Sequence, residues 1–341
     1  QAAETLASFA AHYSGAEPSG LGEVLLQLGR LRAGPLEDVD GAIEAYERAL
    51  AVQPQLREAR EALAELLTFR PARWEEARAR HRELLDAQPT RLASLRGLLR
   101  IAEGGLARGR APLENGLAIL RALGAASPTE RDAAAATLSL RIGQGGSLGN
   151  VVWERARQLA HEVAQELGQA LGAPAPATAA SAADPVASFR QASLEAEAAL
   201  AAPALVPLPA GEAGAVIALV ARLAHEREQL SGDGRLVNAI GDALGRWARR
   251  RVRKAMGSSS PEEIAEIDFS AWRSELRALA HAAALDACGG NLRAALCALL
   301  QDAGRLASLP TDEVDLTSLI DGTTEASELL RRVVVAWSET V

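Results

Sequence analysis

Gly41-Ala-Ile-Glu-Ala-Tyr-Glu-Arg-Ala-Leu-Ala-Val-Gln-Pro54 sets small Ala42, aromatic Tyr46, small Ala49 and terminal Pro54 within one short stretch. Spacings of four and three put the first three on one face of a helix, and a proline cannot continue that helix. The arrangement returns 35 positions later as Ala77, His81 and Pro89, and Leu28-Gly29 returns at the same offset as Leu63-Ala64. Self-similarity at such a period predicts a solenoid, in which each helix pair buries its apolar face by stacking on the next.

Working outward, Gln1 to Tyr13 predicts a short amphipathic helix, and Leu21, Val24, Leu25, Leu28 and Leu31 form the apolar stripe of a second, closed by Gly34-Pro35. The third copy of the repeat is degenerate. Leu98 keeps the offset from Leu63, but the loop from Gly104 to Pro112 is expanded and the closing proline slips to Pro128. Ser127-Pro128-Thr129-Glu130 aligns an N-cap, a first-turn proline and a capping-box glutamate, so a helix is expected from there through alanine-rich Arg131 to Ile142. Val152, Ala156, Leu159, Val163 and Leu167 share a face, and the helix Val151 to Leu171 is expected to close the array.

Leu28-Gly29-Arg-Leu followed by Ala42 to Pro54 resembles the motif of the tetratricopeptide repeat (TPR) family, and Trp74-Glu-Glu-Ala77 opens the second helix of the next copy. The resemblance covers about residues 20–128, each copy one residue longer than the family's usual ~34. It implies an interaction scaffold whose first helices line a concave groove. Carried over from Leu28, Leu63 and Leu98, the groove positions become Glu23 and Arg30, then Glu58, Glu61 and Glu65, then Arg96, Arg100 and Glu103. Such a groove is acidic in the middle and basic on one flank. It would suit a peptide with a basic segment before an acidic end, or a free C-terminus held by Arg96 and Arg100. The competing reading is a solvated charged helix face.

Gly172 to Pro185 holds three prolines and no bulky apolar residue, which predicts an extended linker at 172–186 between a repeat domain, 1–171, and a second helical domain, 187–341. In that half, helices are expected from Pro185 to Ala201, Glu212 to Leu230 and Leu236 to Met256. Ser260-Pro261-Glu262-Glu263 repeats the capping device, and two further helices flank Gly289-Gly290. Leu329 to Trp337 suits either a short strand or the last helix. Trp272 to Leu296 resembles the C-terminal region of long repeat proteins of myxobacteria, itself similar to zinc metallopeptidases of the His-Glu-x-x-His class. In that frame His225 alone survives. Ala221 stands at the first ligand position, Arg222 at the general base and Arg277 at the later glutamate ligand, so the resemblance implies an inactive site without metal.

Other chemistry is sparse. Gly145-Gly146-Ser147-Leu148-Gly149 matches the Gly-x-Ser-x-Gly elbow in letters, but the elbow needs a buried strand before it and here a capped helix precedes it. The same glycines lack the Gly-Lys-Ser/Thr ending of a phosphate loop. Arg246, Arg249, Arg250, Arg251, Arg253 and Lys254 cluster around Trp247, a group suited to phosphates of RNA or an anionic lipid surface. The acidic run Glu262 to Asp268 lies near enough in sequence to neutralise it. The five histidines are scattered, and Cys288 and Cys297 show neither disulfide framework nor metal spacing.

Composition narrows the classes further. With 48% hydrophobic but 3% aromatic residues, alanine and leucine must build the core, which favours closely packed helices over sheets. Lys254 is the single lysine among 36 basic residues, as in a GC-rich bacterial genome, and the net charge of −8 argues against general nucleic-acid affinity. No apolar run reaches transmembrane length. The expectation is therefore an all-α protein: a short TPR-like α-solenoid followed by a second, mostly helical domain, without cofactor or catalytic residues, scaffolding a protein or peptide partner. The alternatives are a metallopeptidase-like hydrolase whose repeats recruit substrate and a structural subunit of a bacterial envelope or motility assembly. A cytoplasmic location is expected, with the periplasm after processing as the alternative.

Overall fold

The computed structural model describes residues 2–12, 18–105, 109–142, 148, 150–162, 184–201, 205, 206, 208, 210–225, 240 and 244–341. The protein is all-α. In chain order the helices are α1 (Ala2–His12), α2 (Pro18–Ala33), α3 (Val39–Val52), α4 (Arg57–Thr68), α5 (Trp74–Ala87), α6 (Leu92–Glu103), α7 (Ala111–Leu123), α8 (Pro128–Ala133) and α9 (Val151–Glu162). There follow α10 (Pro185–Ala201), α11 (Ala210–His225), α12 (Arg246–Met256), α13 (Pro261–Ala265), α14 (Phe269–Ala287), α15 (Leu292–Asp302), α16 (Thr317–Asp321) and α17 (Thr324–Ser338). None of the described helices is long and apolar enough to cross a membrane. Two compact units result: residues 1–140 with 310–341, and residues 141–309.

In the first unit, each helix from α1 to α7 packs on the next, and α4 also meets α6. Local chemistry sets the ends. The Asp38 side chain accepts the Gly41 N–H at 3.0 Å to start α3, and the Gln53 N–H returns to the Ala49 carbonyl one residue before Pro54. Small residues on one helix make room for the ring on its neighbour. A Cβ at Gly29 of α2 would lie 2.4 Å from the Tyr46 ring of α3, and one at Gly97 of α6 would lie 2.3 Å from the His81 imidazole of α5. Tyr46 and His81 are buried, so neither ring can swing into solvent to yield. Gly29→Ala should therefore lower stability by about 1–2 kcal/mol despite its gain in helix propensity. Gly211→Ala, which meets open space, should be neutral or stabilising. Urea unfolding of the two variants checks the contrast, and equal midpoints would refute the close contact.

The capping box at Ser127 and Glu130 forms, but α8 ends at Ala133, well before the expected Ile142. Tertiary hydrogen bonds take the backbone groups that a longer helix would use. Arg121 Nη1 donates to the Ala134 carbonyl at 2.9 Å, and Asn115 Oδ1 accepts the Ser139 N–H at 2.9 Å.

The end of the chain belongs to this unit. Leu316 N–H donates to the Leu123 carbonyl at 2.9 Å, Arg121 pairs with Asp312 at 2.8 Å, and Thr90 donates its hydroxyl to Asp321. Leu329 to Trp337 is helical, within α17, which packs on α5 and α7. Its Trp337 N–H donates to the Pro112 carbonyl at 2.7 Å, and its indole lies where a Cβ on Gly116 would be, 2.5 Å away.

The second unit contains α9 to α15. Its core joins Ala156, Leu159 and Ala160 of α9 to Val216, Ile217 and Val220 of α11, Val252 and Met256 of α12, and Trp272 and Leu276 of α14. The helix expected to close the repeat array thus spends its apolar face in the second unit, and α17 is the helix that covers α5 and α7. The sequence boundary at 172–186 accordingly differs from the observed division; residues 172–183 of that linker, and 163–171 of the expected helix, lie outside the described residues. Against α10 and α15, α14 completes the unit. Its buried Arg273 pairs with buried Glu197 at 3.3 Å and donates to the carbonyls of Leu205, Val206 and Leu208, so an internal charge is matched rather than stranded.

Candidate functional site

Helices α2 to α6 of the first unit enclose a groove of about 500 Å³. Of the eight groove positions carried over from the repeat motif, Arg30, Glu58, Glu61, Glu65, Arg96 and Arg100 line it. Glu23 and Glu103 are exposed but stand outside its lining. They sit at the outer ends of the carried-over set.

Ion pairing divides the six. Glu61 is held by Arg57 Nε at 2.6 Å and Arg91 Nη1 at 2.7 Å. Burial pushes its carboxyl up, but the two guanidiniums outweigh burial and keep it below the usual carboxylate range. Arg96 reaches Glu130 at 2.7 Å and the Ala125 carbonyl at 2.8 Å, which ties it to the start of α8. Arg96 thus has partners within the unit, whereas Arg100, the other arginine that the motif assigns to a free C-terminus, pairs with no carboxylate among the described residues. Arg30, Glu58, Glu65 and Arg100 make no salt bridge among the described residues. The Arg100 guanidinium lies 4.5 Å above the ring of Phe69, a cation–π contact.

Phe69, Tyr46, His81 and Arg91 also line the groove and were not among the expected residues. Phe69 follows the last residue of α4 and is 58% exposed, whereas Tyr46 and His81 form a buried floor. An aromatic directly after the helix that carries Glu58, Glu61 and Glu65, and an arginine 30 positions beyond Glu61, were the available signals. The Thr68 hydroxyl donates to the Ala64 carbonyl at 2.9 Å, so the His81 Nε2–H, 2.8 Å away, is the donor to Thr68 Oγ1. That tautomer leaves Nδ1 as a buried acceptor without a partner. Burial, with Arg91 adding repulsion, pushes the imidazole down to about 4, and His81 is neutral at pH 7. Burial likewise raises the Tyr46 phenol, against the opposing pull of Arg30.

In the second unit, the expected basic cluster lies on α12. Arg246, Arg250, Arg251, Arg253 and Lys254 are exposed, and Arg249 is half-buried and donates to the Leu244 carbonyl at 2.9 Å. Arg251 approaches Glu162 at 3.8 Å. The run Glu262 to Asp268 does not neutralise the cluster by ion pairs as expected. Glu263 is spent in the capping box with Ser260, and Asp268 caps α14.

Among the described residues no group of three His, Cys, Asp or Glu side chains could hold a metal. His225, the residue left from the peptidase motif, is exposed at the end of α11, and most of Gly145 to Gly149 lies outside the described residues. Cys288 is half-buried and Cys297 buried, both as thiols. Comparison with protein-family models, with curated proteins and with solved structures gives no match for this chain.

Proposed function

We propose that the chain is a non-catalytic adaptor whose first unit is a short TPR-like array binding an extended peptide in the groove between α2 and α6. One observation carries the reading: Arg30, Glu58, Glu65 and Arg100 line a single groove without salt bridges of their own, around an exposed aromatic. A structural face would be expected to neutralise such charges internally, as Glu61 and Arg96 do. The packing of α3, with Tyr46 against Gly29, supports the repeat reading.

The pattern specifies a ligand class. Basic side chains of the peptide face Glu58 and Glu65, an apolar or aromatic residue rests on Phe69, and an acidic residue or the terminal carboxylate faces Arg100. A degenerate peptide library displayed against the purified chain should be enriched in that order of residues. Glu58→Lys with Glu65→Lys should weaken the selected peptides at least about tenfold, since like charges then face each other. An enrichment profile unchanged by this reversal would sink the proposal.

A further inference from the structure

Helix α12 carries a second surface, unrelated to the groove. Arg246, Trp247, Arg250, Arg253 and Lys254 are spaced so that all five project from one face, and all are exposed. Ala248, Val252 and Met256 occupy the opposite face and are buried in the core. The apolar side of this amphipathic helix is thus already used in folding, and what remains outward is four cations and an indole 72% exposed. None of the four makes a salt bridge among the described residues, and α12 has no acidic residue. Glu162 sits 3.8 Å from Arg251, at the margin of the stripe.

We propose that this stripe docks the protein reversibly on an anionic phospholipid surface. From Arg246 to Lys254 the stripe spans about 12 Å along the helix axis, and its side chains all project outward, so together they can meet a plane of headgroup phosphates. Arginine and lysine near such a surface each strengthen binding roughly fivefold. An exposed tryptophan beside them belongs at headgroup depth, where its ring is sheltered and its N–H stays hydrated. Single-stranded nucleic acid is the weaker match. It is normally held in a groove with several stacking aromatics, whereas α12 offers one aromatic.

The test uses the intact chain. Phosphatidylcholine vesicles with about one-third phosphatidylglycerol should co-sediment with it at low salt, pure phosphatidylcholine vesicles should not, and salt near 0.5 M should release it. Arg246→Gln, Arg250→Gln, Arg253→Gln and Lys254→Gln together should weaken vesicle binding about a hundredfold or more. Trp247→Ala should cost several-fold and abolish any vesicle-induced blue shift of tryptophan emission. The substituted side chains are exposed, and an unchanged far-UV circular dichroism spectrum verifies the fold of the variants. Failure to bind anionic vesicles, equal binding by the quadruple variant, or tighter binding to a labelled single-stranded RNA than to vesicles would each overturn the proposal.

Discussion

Trp337→Ala should lower the unfolding free energy of the first unit by about 3–5 kcal/mol, the cost of deleting a large buried aromatic. Three observations place this variant at the upper end of what single substitutions do. The side chain is 1% exposed, so nearly its whole volume becomes cavity. Its N–H is the donor to the Pro112 carbonyl at 2.7 Å, which would be left without that partner. Leu330, Val333 and Val334 of the same helix are buried with it, and α17 lies on α5 and α7. Loosening Trp337 therefore weakens two other helices of the first unit as well as its own. Urea unfolding followed by far-UV circular dichroism should show the earlier midpoint. A loss below about 1 kcal/mol would mean that α17 does not pack where the structure has it. Trp337→Phe should retain much of the packing and lose the hydrogen bond.

Acidification should destabilise both units before the lowered carboxyls of Glu61, Glu130 and Glu154 titrate. His81 in the first unit and His281 in the second are pushed by burial from an ordinary value near 6.5 to about 4. Folded imidazoles then bind fewer protons than unfolded ones between those two values. Stability is fully present above pH 6.5 and is lost as pH falls toward 4, by about 3 kcal/mol for each histidine. Glu61, Glu130 and Glu154 have lowered carboxyls, so their losses begin only below about pH 4.5. Unfolding measured between pH 7 and 5 thus reads the two histidines ahead of these three carboxyls. His81→Phe, which puts a ring that does not titrate 35 positions after Tyr46, should flatten the slope of the first unit and leave that of the second. A wild-type stability independent of pH across this range would contradict the downward shift of both imidazoles.

Legibility in the sequence followed the range of the physics. Caps were readable because Ser127 with Glu130, Ser260 with Glu263 and Asp38 act within a few residues of themselves. The motif face Ala42, Tyr46 and Ala49 was readable because a helical period turns spacing into direction. The groove was partly readable for the same reason: Glu58, Glu61 and Glu65 must share a side of α4, whatever that side faces. Which charges stay unpaired was not readable, since Arg91 and Glu130 reach Glu61 and Arg96 from other helices. The end of α8 at Ala133 was missed because Arg121 and Asn115 supply its hydrogen bonds from a distance, and they outweigh the helix propensity of alanine.

The sequence by itself determined that the chain is helical, where most helices begin, and which residues of each face inward, because propensity, capping and periodicity are local. Tertiary structure alone decided which apolar faces meet. Val151 to Glu162 and Thr324 to Ser338 both present a buried stripe, and nothing in a stripe of alanine, leucine and valine names its partner, since hydrophobic burial is non-directional. The choice rests on the fit of particular shapes. The Trp337 indole fits over Gly116 with its N–H on the Pro112 carbonyl, while Ala156 and Leu159 fit among the residues of α11 and α12. That selection assigned the last helix to the first unit and the expected closing helix to the second.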